Sequence, residues 1–388
     1  MQTRNTNFYD IMAQGLNGFK NYQEFINDTV AKKYNVPQTE GFAWDDKIQT
    51  GFTYEALEAE MGVYAMATFV DLDSPGGTHA TTGAKLSSGD IPRFKHGFKM
   101  DEKELREQIM LAEQFGSVTS EMQDTLQMLL FNSSDKLIGG NYNTLTYQRH
   151  QAVSTGAFAL TSTNNPGGIT GVTFDFGVPA ANKLKAGGFG SIGTKYAWSS
   201  ASANPIGDLQ DMVQFADDNN IPYGSFEMSK KLWNTFRSHI NVKSQVAVGI
   251  NMAADLTNVG SMTFMDTQIK AYLEGIGLPP ITIIDSLVSV DKFNPATRKV
   301  EYTTIRPFDE AKVVLRPAGE LGTIKAVRPL VYPDPAARIA FMDGGRTVLK
   351  QTFDSKNVIQ YIESELTALV VPNTSRFILQ LKTDEAAG

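Results

Sequence analysis

Hydrophobic positions along the chain change period several times, and each change predicts a different element. Near the N-terminus, Phe8, Ile11, Met12 and Leu16, then Tyr22, Phe25, Ile26 and Val30, recur at helical spacing. Gly15, Gly18, Pro37 and Gly41 interrupt them. Residues 1–56 therefore read as an extended, partly helical arm with too few large apolar groups for a core of its own, expected to pack on something else such as a neighbouring chain. Residues 57–100 read as a long hairpin. Tyr54 to Met61 is a short helical lead-in, and Gly62 to Val70 is rich in strand formers. Asp73 to Asp90 is a Gly, Ser, Thr and Pro tip. In Ile91 to Met100, Phe94, His96 and Phe98 alternate onto one face. Two long strands with a polar tip are poorly stable alone, so this hairpin is expected to rest on a partner.

Residues 101–160 carry the strongest helical period. Asp101 is a suitable N-cap with Glu104 three residues on, followed by Leu105, Ile109, Leu111 and Ala112. A second run carries Met122, Leu126, Leu129, Leu130, Leu137, Tyr142, Leu145, Ala152 and Val153, with Gly156 as C-cap. Uninterrupted, residues 119–155 would span about 55 Å. Gly139-Gly140 lies inside, at about 1 kcal/mol per Gly relative to Ala. The segment reads either as two core helices or as one long helix kinked at that pair.

Beyond it, residues 157–200 are rich in Gly, Thr, Asn and Ser, with a short strand at Gly171 to Phe176. Residues 204–250 look α/β. Pro205 fits the first turn of a helix bearing Leu209, Met212, Val213 and Ala216, and Leu232, Trp233, Phe236 and Ile240 mark a second. Thr267 to Leu273 is a third. Strands follow at Ile281–Asp285, Val300–Thr303 and Lys312–Leu315, the first two joined by a turn at Asn294-Pro295 and Thr297. The last stretch is β-rich, with strands at Ile339–Phe341, Thr347–Thr352 and Phe377–Leu381 and a short helix at Val358–Leu366.

Composition narrows the function classes. The chain has 388 residues, 41% hydrophobic and 20% charged, values of a folded protein. Its net charge of -7 gives no general attraction for polyphosphate, and its nearest basic runs, Lys32-Lys33 and Lys230-Lys231, are only pairs. There are no cysteines, so disulfides, thiol catalysis and Cys-ligated zinc are excluded. The N-terminus carries no signal-peptide pattern, and no window of about 20 apolar residues predicts a membrane span.

Candidate chemistry is thin. Gly188-Phe189-Gly190-Ser191-Ile192-Gly193 matches G-x-G-x-x-G, but that chemistry needs a strand before and a helix N-terminus after it. Lys183 to Ala186 and Thr194 to Ala197 supply neither context, and Thr194-Lys195 stands in the wrong order for a P-loop, so a flexible loop is expected. Asp71, Asp73 and Gly76 faintly resemble a calcium loop whose twelfth position, Thr82, cannot act as the bidentate carboxylate. His79, His96, His150 and His239 form no helical metal pair; His150, next to Arg149, reads as a packing or solvated residue. Asp217-Asp218 and Glu55, Glu58 and Glu60 read as solvated faces. No catalytic, cofactor-binding or metal-ligating residue is assigned, no cofactor is expected, and the chain is read as not an enzyme.

The order of elements resembles the tailed-phage major capsid fold of the Hong-Kong-97 type, closest to the lambda-like capsid protein E family. The stretches that carry the resemblance are Gly62–Leu105, the helix end Tyr147–Gly156, the segment Val314–Gly322, and Glu363–Pro372 with Phe377–Leu381. The resemblance implies an α+β fold with residues 1–56 as N-terminal arm and 57–102 as extended β-hairpin loop. Residues 103–185 with a spine helix, and 325–388, would make a peripheral domain, and 186–324 an axial domain. It further implies a structural virion protein that self-assembles into hexamers and pentamers of an icosahedral head around double-stranded DNA. A portal and a separate scaffolding protein would be partners, with room for a decoration protein; the DNA would be contacted without sequence specificity, and no membrane is involved. The chain would be made in the bacterial cytoplasm. Some relatives crosslink a loop Lys to a neighbour's Asn; Lys85 is read as solvated, and no crosslink is expected. A tail tube or sheath protein is the alternative, and an enzyme or ligand-binding module built on 186–324 is another.

Overall fold

The computed structural model describes residues 23, 26, 27, 41–59, 84–100, 103, 120–166, 168–250, 256–294, 299–331, 337–354 and 359–387, with backbone alone for 55–59, 84–88, 100, 120–133, 292–294, 299–300, 353–354 and 359–360. The strands are β1 (Phe42–Trp44), β2 (Thr53–Ala59), β3 (Ala84–Asp90), β4 (Arg93–Met100), β5 (Ala157–Ala159), β6 (Thr173–Asp175), β7 (Lys183–Ala186), β8 (Ser225–Ser229) and β9 (Ile281–Ile284). After them come β10 (Val288–Asn294), β11 (Lys299–Ile305), β12 (Lys312–Arg316), β13 (Gly322–Ala326), β14 (Arg338–Met342), β15 (Thr347–Asp354), β16 (Ile359–Pro372) and β17 (Leu379–Ala386). The helices are α1 (Ser120–Thr155), α2 (Pro205–Asp218), α3 (Lys230–Ser238), α4 (Ile240–Gly249) and α5 (Asp266–Gly275).

Two sheets organise the molecule. One runs β1-β13-β16-β15-β14, with β4 also paired to β16; the other runs β7-β17-β12-β8-β9. The strand β16 is the long member of the first. It pairs antiparallel with β15 and β4 over its first half and with β13 over its second. Its side chains explain why: Ile362, Ser364, Leu366, Ala368 and Val370 are all buried at period two, the signature of a strand face. The predicted helix over Val358–Leu366 is therefore replaced by strand: Leu366, Ala368 and Val370 line one face, and Leu369 and Val371 line the other.

Alternation in the five-stranded sheet assigns its two faces. Phe226 and Met228, Val313 and Leu315, and Leu379 and Leu381 point into a core with α2–α5. There Trp233 stacks on Phe236 at 5.6 Å between ring centroids. The intervening Glu227, Val314 and Gln380 stand in one row across the opposite face, since Val314 is in register with both of the others. That row meets the end of α1, so the sheet is covered on both sides.

Helix α1 runs unbroken for 36 residues, about 54 Å. The division into two core helices, one of the two readings at Gly139-Gly140, does not occur. The glycine at 140 serves a close approach instead: a Cβ there would lie 2.3 Å from Cε1 of His96 on β4. His96 Nε2 meets the Leu137 carbonyl of the same helix at 2.6 Å. The helix ends at Gly156, whose φ of +71° and contact with Val178 leave no room for a side chain, as the sequence predicts.

Several expectations are corrected. Tyr54–Met61 is not a helical lead-in: Thr53–Ala59 is the strand β2, paired antiparallel with β3 inside the expected polar tip. All eight residues of β4 pair with Thr367–Gln360 of the same chain's β16, a partner the hairpin reading did not foresee. Nor does the described arm lie wholly elsewhere. The strand β1 adds in parallel to β13, burying Phe42, and Ile26 is fully buried. Ile240 starts α4 rather than continuing α3, because His239 breaks the run as a cap. The hairpin turn joins β10 to β11, not β9 to β11, since β9 pairs with β8. Gly62–Val70, the segment Asp101–Ala112 apart from Lys103, and the turn at 295–298 lie outside the described residues.

These contacts predict an unusual substitution pair. Gly140→Ala should lower stability by about 1 kcal/mol or more, because forced overpacking costs about 1–3 kcal/mol and outweighs the helix-propensity gain of about 1 kcal/mol. In a His96→Ala background the same change should become stabilising. Urea denaturation of the four proteins of this cycle measures both signs.

Candidate assembly interface

Any assembling surface needs a rigid body behind it, and the body is fixed where the last turns of α1 meet the five-stranded sheet. Arg149 Nη2 lies 2.6 Å from Oε1 of Glu227 on β8, and Arg316 Nε on β12 lies 2.7 Å from the same oxygen. The Arg149 and Glu227 side chains are 2% and 0% exposed. A second guanidinium nitrogen of Arg149 donates to Nδ1 of His150 at 2.7 Å. This fixes the imidazole as the neutral tautomer whose Nε2 faces Ser286 Oγ at 3.1 Å. Burial first, and the Arg149 charge second, push the His150 pKa down to about 3. Next to this cluster, Gln380 Nε2 donates to the Val153 carbonyl and Gln148 Oε1 accepts from the Val370 amide, so side-chain amides tie the helix to both sheets.

The glycine-rich segment 187–193 is held just as firmly. A strand, β7, does precede it, which corrects one half of the sequence reading, but no helix N-terminus follows it. Its N–H groups are turned onto carboxylates of α2. Gly187 N–H donates to Asp208 Oδ1 at 2.9 Å, and Ile192 and Gly193 N–H donate to Asp211 at 3.1 and 2.7 Å. The Trp198 indole holds the other Asp208 oxygen at 2.7 Å. A Cβ at Gly190 or Gly193 would press on these two carboxylates, at 2.3 Å from Asp211 and 2.1 Å from Asp208. The glycines thus fit around anions the protein already owns, and a phosphate would meet two buried acids. Burial raises the Asp208 pKa to about 6 despite those hydrogen bonds.

The remaining sequence candidates fall apart in space. His239 caps α4 and meets the Ser200 carbonyl. His96 serves the β4–α1 contact. Asp217 and Asp218 are exposed, as expected of a solvated face. His79, Asp71, Asp73, Gly76, Thr82 and Glu60 lie outside the described residues, and for Lys85, Glu55 and Glu58 only the backbone is described. Among the described residues no group of three or more potential metal ligands exists, and no helix is long and apolar enough to cross a membrane.

What the surface offers is projecting β-structure. The pairs β2–β3 and β10–β11 are sheets of two strands. Residues 301–304 of β11 are exposed at every position, so neither face of that strand is covered, and Tyr302 is 71% exposed. At the base of this ribbon, Leu287 is 54% exposed beside a groove of about 740 Å³. The groove is rimmed by a chain of alternating charges. Lys230 and Arg306 share Asp285, and Arg306 and Lys231 share Glu310. Sequence reading saw Lys230-Lys231 only as a basic pair; their acidic partners lie 55 and 79 positions away and leave no local signal.

Comparison with known proteins gives a family. A family model described as phage major capsid protein E matches residues 30–277. Similar solved structures include the capsid of Ralstonia phage GP4, at 11% identity over 89% of this chain and 87% of that one, with a TM-score of 0.45. A phage-related protein from Bordetella bronchiseptica RB50 is 11% identical over 97% of both chains, with a TM-score of 0.42. The capsid asymmetric unit of cyanophage A-1(L) is 11% identical over 88% and 89%, also with a TM-score of 0.42. No curated protein matches the chain.

His150 and Asp208 act oppositely on acid stability. His150 has its folded pKa below the unfolded 6.5, so its contribution is full above that pH and fades between about 6.5 and 3. Asp208 has its folded pKa above the unfolded 3.8, so its contribution is full below 3.8 and lost as pH rises through about 6. His150→Leu should therefore flatten the acid limb of a stability–pH curve, and Asp208→Asn should steepen it between about pH 6 and 4. Thermal melts of the three proteins across pH 3–7 test both slopes.

Proposed function

The chain belongs to the phage major capsid protein E family, and from that premise we propose that it tiles an icosahedral head as hexamers and pentamers around double-stranded DNA. The observation that carries this is the family match over residues 30–277. The geometry supports it. A long helix welded to two sheets makes a stiff plate, while two-stranded ribbons with open edges are elements that neighbouring copies can complete. Many modest contacts repeated around a shell give large total stability through multivalency. A net charge of -7 suits a wall that must not adhere to its cargo.

In this reading residues 1–56 are the arm, 57–102 the extended loop, 103–185 and 325–388 the peripheral domain with α1 as its spine, and 186–324 the axial domain. The sheet of β7, β17, β12, β8 and β9 draws its last-numbered strand from 379–386, so the C-terminal segment would stitch the axial and peripheral units together. The subunit acts structurally and not as a catalyst: Asp208, an acid whose pKa burial raises, is engaged by a backbone amide and an indole. Portal, separate scaffolding protein and a decoration protein would be the partners in the head, with synthesis in the bacterial cytoplasm.

Expression followed by negative-stain microscopy tests the reading. Shells or capsomer rings are the expected products; tubes, or a monomer that stays soluble at high concentration, would refute it. Replacing residues 60–83 by a short Gly-Ser turn should leave the melting temperature nearly unchanged and abolish shells. Undiminished particle yield would remove the extended-loop role.

A further inference from the structure

The strand β14 ends the six-stranded sheet, and among the described residues only its inner side pairs with a strand, β15. Its sequence, Arg338-Ile339-Ala340-Phe341-Met342, carries one charge at its first position and is apolar from Ile339 to Met342. Such an edge presents backbone donors and acceptors to any passing strand. Natural sheets guard their edges with charge, proline, bulges or a covering element. Among the described residues, a side-chain amide from 318 positions away covers this edge at Phe341. Gln23 Nε2 donates to the Phe341 carbonyl at 2.7 Å, and the Phe341 N–H donates to Gln23 Oε1, also at 2.7 Å. This is the two-bond pattern that a neighbouring strand would make. Gln23 is itself oriented by Asn27, whose Oδ1 accepts from Nε2 at 2.8 Å, and Ile26 is fully buried beside them. Positions 23, 26 and 27 share a helical face, so one turn of the arm delivers both the plug and its apolar anchor.

We propose that Gln23 is an edge guard, whose amide occupies the pairing position of β14 through which a second copy of this chain would otherwise join edge to edge. The occupant follows from symmetry. In antiparallel pairing the outward backbone groups alternate, so Ile339 and Phe341 both face away from β15. Two copies of β14 related by a two-fold axis would present these groups to each other in matching register, and an isologous contact of this kind closes on itself. The Phe341 side chain, 42% exposed, would gain cover in the same step. Such a closed pair would consume an edge and a subunit without extending any lattice, which gives the arm a task before assembly begins.

The test uses full-length, unassembled subunits, so its outcome is independent of whether shells form. Wild type, Gln23→Ala and Gln23→Ala/Phe341→Lys are compared by sedimentation over a concentration series and by hydrogen exchange of the peptide covering Ile339–Met342. In Gln23→Ala the Phe341 amide should exchange about tenfold faster or more when dilute. A dimer should appear as concentration rises, and the amide should regain protection in it. Adding Phe341→Lys should abolish the dimer while exchange stays fast, because a lysine on a strand edge blocks pairing. Gln23→Glu, which keeps the acceptor and loses the donor, should fall between and confirms that the fold survives. Wild-type exchange in Gln23→Ala, fast exchange without a dimer, or a dimer indifferent to Phe341→Lys would each overturn the proposal.

Discussion

A carboxylate with no exposed surface, Glu227, sits between two guanidinium groups and decides how helix α1 meets the five-stranded sheet. Removing one partner from a buried ion pair costs about 3–5 kcal/mol, because the other charge is left stranded. The pair is thus weak as a source of stability and strong as a constraint. The placement of α1 that brings both guanidinium groups to Oε1 of Glu227 also aligns Gln380 with the Val153 carbonyl and Gln148 with the Val370 amide. The neutral His150 belongs to the same constraint. Its Nδ1 accepts from Arg149, so a protonated ring would break the cluster from within.

Fixing α1 fixes the other sheet as well. The helix packs on β16, and β16 is the member that β15, β4 and β13 all share. A displacement of the helix would therefore have to be passed to two sheets at once, and close-packed interiors respond to such strain in discrete steps rather than by gradual deformation. The ribbons β2–β3 and β10–β11 gain no third strand among the described residues, and Tyr54 and Val288 anchor them in the body. That division suits a wall subunit: the stiff part sets the shape of the plate, and the open ribbons adjust to neighbours.

Much of this was legible in the sequence where one period dominates. The helix at 120–155, its stop at Gly156, the proline start of α2 and the strands β12 and β15 all follow from spacing and punctuation. Reading failed where a residue answers to a distant partner. Gly140 carries a helix-breaking propensity locally, yet its absent Cβ makes room for His96, 44 positions earlier in the chain. The segment Ile359–Leu366 mixes charges with apolar residues in a way that fits either period, and only pairing with β4 and β15 chooses the strand. The glycines at 187–193 looked like a phosphate cradle or a slack loop; Asp208 and Asp211, about twenty residues on, make them neither. No residue of the Arg149–Glu227–Arg316 joint could be linked to another from spacing alone.

Too little oil in a segment means that it needs a partner surface, but it does not say whose. The strand β16, 14 residues long, offers such a surface within the same chain, and β4 uses it; β1 uses β13. Self-pairing of these two segments removes part of the case for intersubunit contact, which then rests on the family match and on the ribbons that remain two-stranded. It also changes what the arm is for. A segment that already holds Ile26 in the body and plugs the β14 edge with Gln23 is a functioning part of the single subunit. Any reach toward a neighbour must then compete with contacts made at home, and that competition is a physical basis for holding subunits apart until assembly conditions tip the balance.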